Sequence, residues 1–267
     1  MILASAPQTS LVLSLLTAVT YALPAVLVRQ LSHSATRNCV VVAWLLHGAV
    51  ICMGLFGEPA YFGFAPALSV TAWLVAAAYA VESQIFPQLQ TRWALCGVGA
   101  AAVFMAALFP GSPIPTTMST WLPLHLAFGV ASYGLLGTAV VHAWFMTRAE
   151  NRIRLAEDSH TGLPLLTLER LTFRFVAAGF VLLTATLLIG FSFGDNMYGR
   201  PHVWYRDHKM VFSVLAWITF AALLVGRRAF GWRGKRAVKV LYIGAAFLLL
   251  AYVGSRFVIE VVLGRTP

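Results

Sequence analysis

The strongest constraint on this chain is a series of long, unbroken apolar runs. Eight of them, over residues 11–31, 40–56, 65–81, 93–109, 122–146, 171–193, 210–226 and 238–263, are close to the length that crosses a bilayer as a helix. Hydrocarbon offers no partner for backbone N–H and C=O groups, so a spanning segment is either a helix or part of a closed barrel. A barrel strand alternates polar and apolar residues, whereas these runs are continuous. The expected architecture is therefore all-α, a polytopic membrane bundle of about eight transmembrane helices. No repeat divides it, so residues 1–267 are read as a single domain.

Composition excludes the main alternative. Only 10% of residues are charged and 60% are hydrophobic, against the roughly 25% charged residues of a soluble globule. The formal charge of +10 would suggest nucleic acid in a soluble protein. In a membrane protein it marks the cytoplasmic loops, so no nucleic acid is expected. With the N-terminus outside, 14 of the 19 Lys and Arg residues fall in inner loops, and both termini then face outward. The first basic residue is Arg29, so the first run lacks the basic start of a cleaved signal and is expected to stay as a span. Cys39, Cys52 and Cys96 stand singly, which suggests neither disulfides nor covalent haem attachment.

The polar residues are few enough to take in turn. The outer loops at 58–64 and 110–120 are short and rich in Gly and Pro, whereas 194–209 concentrates Trp204, Asp207, His208 and Lys209. The inner loop 148–170 reads as a solvated, partly helical connection. His33, His160 and His202 fall in loops. His47 lies within the second run beside Gly48, where an imidazole either binds a ligand or bonds a neighbouring helix. Gly48 would admit a helix or a flat ligand. His125, Ser132 and Tyr133 form one polar stripe on the fifth helix. His142, about 25 Å further along that helix, cannot share a metal with His125 and is expected at the inner interface. Asp207 suits a helix start, and Lys209 can snorkel. Motifs for nucleotide, zinc-protease or serine-hydrolase chemistry are absent, and no bond chemistry is expected of the protein itself.

From His125 onward the chain resembles the cytochrome c assembly protein family, the CcsA/HemX-like haem-handling membrane proteins, and within it the YpjD-type branch. The residues that carry the likeness are His125 with Ser132-Tyr133, Leu168-Glu169-Arg170, His208-Lys209, Ser213, Ala216-Trp217, Gly231-Trp232-Arg233-Gly234, Ala251-Tyr252 and Gly254-Ser255-Arg256, with His47 upstream. CcsA-type members carry haem through the membrane and present it outside for ligation to apocytochrome c. They use a tryptophan-rich outer segment flanked by two outer histidines, and two further histidines in the membrane. By this likeness His125 matches the first outer histidine and His47 the first membrane histidine. Trp204 and the Asp207-x-Lys209 pattern fall in the tryptophan-rich segment, with His208 where a proline would stand. The second membrane histidine, expected near Val225, and the second outer histidine, expected near the C-terminus, have no counterpart.

The resemblance implies a haem-handling protein of the bacterial inner membrane, holding non-covalent haem b between helices. His125, His208 and His47 are the candidate iron ligands, and Trp204, Tyr133 and Trp217 the candidate cofactor contacts. Implied partners are membrane lipid, haem, an apocytochrome, a haem-biosynthesis enzyme or another membrane protein. The alternative is a cofactor-free regulatory or scaffolding protein that binds its partner through the basic inner turn 227–239.

Overall fold

The computed structural model describes residues 8–27, 30–85, 92–114, 121–154, 165–198 and 208–264. Among these it contains eight helices. They are α1 (Gln8–Val26), α2 (His33–Phe56), α3 (Phe64–Ile85), α4 (Arg92–Leu108), α5 (Trp121–Arg154), α6 (Leu165–Tyr198), α7 (His208–Phe230) and α8, which starts as Gly234–Leu249 and continues to Val262. Six are long and apolar enough to cross a membrane, and α1 and α4 are shorter apolar helices. The polytopic membrane bundle read from the apolar runs is present. The expected outward placement of both termini concerns residues 1–7 and 265–267, which lie outside the described residues.

Helix boundaries differ from the apolar runs for local reasons. The Ser32 hydroxyl accepts from the Ala35 N–H at 3.2 Å, so α2 starts at His33 and takes in the polar residues before 40. Helices α5 and α6 are each 34 residues long and absorb much of the expected inner loop 148–170. The Gly- and Pro-rich segments at 58–64 and 110–120 include an antiparallel pair, β1 (Tyr61–Phe62) with β2 (Ser112–Pro113). No apolar run forecast it.

The contacts form two compact units. The first comprises Met1–Pro115 with Arg256–Pro267, and the second Thr116–Ser255. In the first unit, α1 is amphipathic in the opposite sense to a helix in water. Its buried stripe is Ser14, Thr17, Tyr21 and Pro24, while Val12, Leu15, Val19, Leu23 and Val26 are exposed. Ser14 and Thr17 donate their hydroxyl protons to the carbonyls of Ser10 and Leu13, at 2.8 and 2.7 Å, which makes their burial tolerable. Lipid tails solvate the outer stripe, so small and self-satisfied polar residues are left to pack inward. Tyr21 sits against Gly99 of α4, where an added Cβ would come within 3.1 Å of its ring.

Helices α2 and α3 are clasped by two tryptophans. Trp44 Nε1–H donates to the Trp73 carbonyl at 3.2 Å, and Trp73 Nε1–H donates to the Trp44 carbonyl at 3.0 Å. Their rings stack at 4.7 Å, within 6° of parallel. Gly48 faces the Trp73 indole, so the flat group beside it is a side chain of α3. At the end of the chain, Arg256 and Glu260 are paired one turn apart at 3.6 Å, and the Glu260 carboxylate lies against Gly63.

The second unit is built on the α5–α6 pair. Gly179 of α6 lies so close to Leu136 of α5 that a Cβ would be 2.7 Å from its Cγ. Phe220 of α7, fully buried, lies over Gly244 of α8 in the same manner. The turn between α7 and α8 uses Gly231 and Gly234 at φ +62° and +56°, backbone that other residues adopt at a cost. Trp232, between them, folds its ring onto Gly226, where any Cβ would overlap it. Beyond Leu249, α8 widens into π-helical turns at Leu250–Gly254 and Val258–Val262.

Candidate functional site

The second unit places His125 one turn into α5, half-buried against α6. Its Nδ1 lies 3.1 Å from the Thr186 carbonyl oxygen. A carbonyl only accepts, so Nδ1 carries the proton and the lone pair sits on Nε2. Gly190, one turn beyond Thr186, faces the ring edge, and a Cβ there would lie 3.1 Å from His125 Cε1. One turn toward the helix end, Trp121 and Phe193 stack at 4.0 Å and 5°, pinning the two helices beside the imidazole. Histidines that ligate metals almost always donate their other ring N–H to a carbonyl or carboxylate. His125 therefore meets the requirement for an iron ligand through Nε2.

Tyr133, two turns deeper, turns toward a different helix. Its hydroxyl donates to the Leu248 carbonyl of α8, just before the first widened turn. Ser132 is fully buried and donates to the Gly129 carbonyl of its own helix at 2.7 Å. The expected polar stripe thus divides, with His125 serving α6, Tyr133 serving α8 and Ser132 satisfied locally. Trp217 of α7 donates from Nε1 to Thr184 Oγ1 of α6 at 2.9 Å and stacks on Phe180 at 5.4 Å.

That contact sets the register of α7 against α6. Counting back along α7 from Trp217 opposite Thr184 brings His208 level with the Phe193 end of α6. His208 is exposed at the start of α7, at the end of the unit where His125 also lies. Trp204 and Asp207, expected beside it, lie outside the described residues, as do His160 and His202.

His47 belongs to the first unit. It is 0% exposed and has both ring nitrogens engaged, Nε2 with Ser69 Oγ at 2.8 Å and Nδ1 with the Tyr21 hydroxyl at 3.4 Å. Both contacts join α2 to neighbouring helices, the bonding named as one of the two possibilities read from the sequence. His142 was expected at the inner interface but is 2% exposed, with its ring edge-on to Phe175 at 5.3 Å. The reason is length. Helix α5 continues three turns past His142, and α6 covers it.

Sequence reasoning missed a charged cluster at the other end of the second unit. Glu169 of α6 accepts from Arg227 Nη1 at 2.7 Å, and Arg233 Nε lies 3.5 Å from the same carboxylate oxygen. The Arg227 guanidinium also covers the Phe173 ring at 3.6 Å, and Arg236 covers Trp232 at 4.2 Å. Glu169 stands among the residues that carried the family likeness, but nothing local in the sequence pairs it with Arg227, 58 positions away.

Among the described residues, no group of three or more His, Cys, Asp or Glu side chains is placed to hold a bare metal ion. Haem iron is held by four porphyrin nitrogens and needs only one or two protein ligands. His125, with Nδ1 bonded to the Thr186 carbonyl, is a donor of that kind.

A family model described as Cytochrome C assembly protein matches residues 7–263. The chain is 34% identical over 143 residues to the inner membrane protein YpjD of Escherichia coli K12, covering 52% of this chain and 52% of that protein. It is 25% identical over 181 residues to the cytochrome c biogenesis protein CcsA of Prochlorococcus marinus, covering 66% and 54%. It is 24% identical over 165 residues to CcsA of a Synechococcus species, covering 53% and 54%. The chain spans about half the length of the curated relatives it matches.

Proposed function

The chain belongs to the cytochrome c assembly protein family, and from that premise we propose that it handles haem in the bacterial inner membrane during cytochrome c biogenesis. The observation that carries this reading is His125, whose Nδ1–H is held by the Thr186 carbonyl at 3.1 Å while Nε2 keeps its lone pair. Non-covalent haem b would be ligated through His125 Nε2. His208, exposed at the start of α7, is the candidate second ligand. Trp204 and Trp217 are the candidate aromatic neighbours, and Tyr133 acts by fixing α8 to α5 through Leu248.

Bound haem would supply the vinyl groups that an apocytochrome's thiols attack. His125 would hold and orient the group, and the Trp121–Phe193 stack would keep α5 and α6 together beside it. His47, bonded to Ser69 and Tyr21 in the first unit, is the remaining candidate ligand. The partners that follow are an apocytochrome and membrane lipid. A haem-biosynthesis enzyme or another membrane protein is the partner under the scaffolding alternative. That alternative has a narrower surface than the sequence implied, because Glu169 already engages Arg227 and Arg233.

The test is deletion of the gene in its host, followed by haem-stained gels of membrane c-type cytochromes. The reading expects those bands to weaken and to return with the wild-type gene. Bands of unchanged intensity would overturn the biogenesis role.

A further inference from the structure

Three glycines of α5 and α6 face the partner helix among the described contacts, and they differ in kind. At Gly179 the neighbour is the Leu136 side chain, and at Gly129 it is Thr186 Cγ2, in ordinary contact at 3.6 Å from an added Cβ. At Gly190 the neighbour is an imidazole, with Cε1 at 3.1 Å and Nδ1 at 3.5 Å from where a Cβ would stand. Cε1 lies between the two ring nitrogens, so an atom placed there pushes on the bond that orients both.

The geometry points to Gly190 and the Thr186 carbonyl as a positioning pair that holds the His125 ring with its proton on Nδ1 and its lone pair on Nε2. The argument is steric and electrostatic. The carbonyl oxygen can accept only from an N–H, so the pair selects one neutral tautomer. With the ring held to that oxygen, a Cβ at 190 would stand 3.1 Å from Cε1, tighter than ordinary van der Waals contact. A methyl group there makes the helix or the ring give by a few tenths of an ångström. Rotation is the easier response, because close-packed helices resist displacement. Ring rotation both breaks the hydrogen bond and re-aims Nε2. The claim about the ring stands on the α5–α6 geometry alone, whereas taking iron as what Nε2 binds rests on the haem reading above.

Two readouts keep these claims apart. The first is the ¹⁵N NMR spectrum of histidine-labelled, ligand-free protein in detergent at alkaline pH, with His125 assigned by its loss in His125→Gln. The expected wild-type result is protonated Nδ1. Gly190→Ala is expected to shift His125 toward a tautomer mixture, and Gly129→Ala, on the same interface, to leave it unchanged. The second readout is titration with hemin, in which Gly190→Ala is expected to weaken binding by about ten-fold or more, the range seen when a metal-ligating histidine loses its hydrogen-bond partner. A wild-type His125 protonated on Nε2, or a Gly190→Ala spectrum identical to wild type, overturns the positioning role. If the wild-type ring is Nδ1-protonated and responds to Gly190→Ala but hemin does not bind, the positioning role stands and the haem reading fails.

Discussion

Replacing Glu169 by Gln keeps the shape of the side chain and removes only its charge, so it isolates the cluster between α6, α7 and the α7–α8 turn. The Glu169 side chain is 12% exposed, that of Arg227 27% and that of Arg233 69%. The Arg227 pair is hydrogen-bonded at 2.7 Å and backed by Phe173, which places it between two measured regimes. Breaking a fully buried pair costs about 3–5 kcal/mol, and an exposed pair contributes about 0–1 kcal/mol. The expected loss for Glu169→Gln is therefore about 1–3 kcal/mol. Nearly all of it should couple to Arg227, because Arg233 is exposed and its contact is longer. A double-mutant cycle by equilibrium unfolding in mixed micelles measures this. Coupling of at least about 1 kcal/mol is expected between Glu169→Gln and Arg227→Gln, and only a few tenths with Arg233→Gln. Equal coupling to both arginines, or none to Arg227, would refute the assignment of Arg227 as the buried partner.

Trp44→Phe removes one of two reciprocal indole hydrogen bonds and part of a stack, and should cost about 1–2 kcal/mol in the same unfolding assay. A cost within error of zero would mean the clasp contributes nothing. Gly226→Ala forces a methyl group into the Trp232 ring, so it should destabilise by about 1–3 kcal/mol and shift Trp232 emission toward that of a water-exposed indole. Unchanged emission would count against the packing of that turn. His47→Phe strands the Ser69 and Tyr21 hydroxyls, and an expected loss of about 1–3 kcal/mol should come with no change in any haem spectrum. A changed spectrum would make His47 a ligand.

Much of the fold was legible because hydrocarbon leaves few options. Long apolar runs have to be helices, and each of the eight contains one. What the runs could not show is where helices continue through polar sequence. Ser32 starts α2 early through a single hydroxyl contact, and α5 and α6 carry Arg148, Glu150 and Glu169 within regular helix. Burial was legible only where local sequence decides it. His142 looked interfacial because it stands near the end of an apolar run, and the covering Phe175 belongs to another helix. The partnership of Glu169 with Arg227, and of Trp44 with Trp73, likewise depends on register between helices. His125 could be singled out from its position at the start of a span and from the family likeness. Its tautomer could not, because the Thr186 carbonyl that meets Nδ1 belongs to another helix.

The central claim, that this chain holds haem through His125, is tested most directly by the visible absorption spectrum of the protein purified in mild detergent from haem-replete cells. The account predicts a Soret band in the wild-type protein that shifts on addition of dithionite and is lost in His125→Ala. A colourless wild-type protein would contradict haem binding, and an intact Soret band in His125→Ala would contradict the ligand.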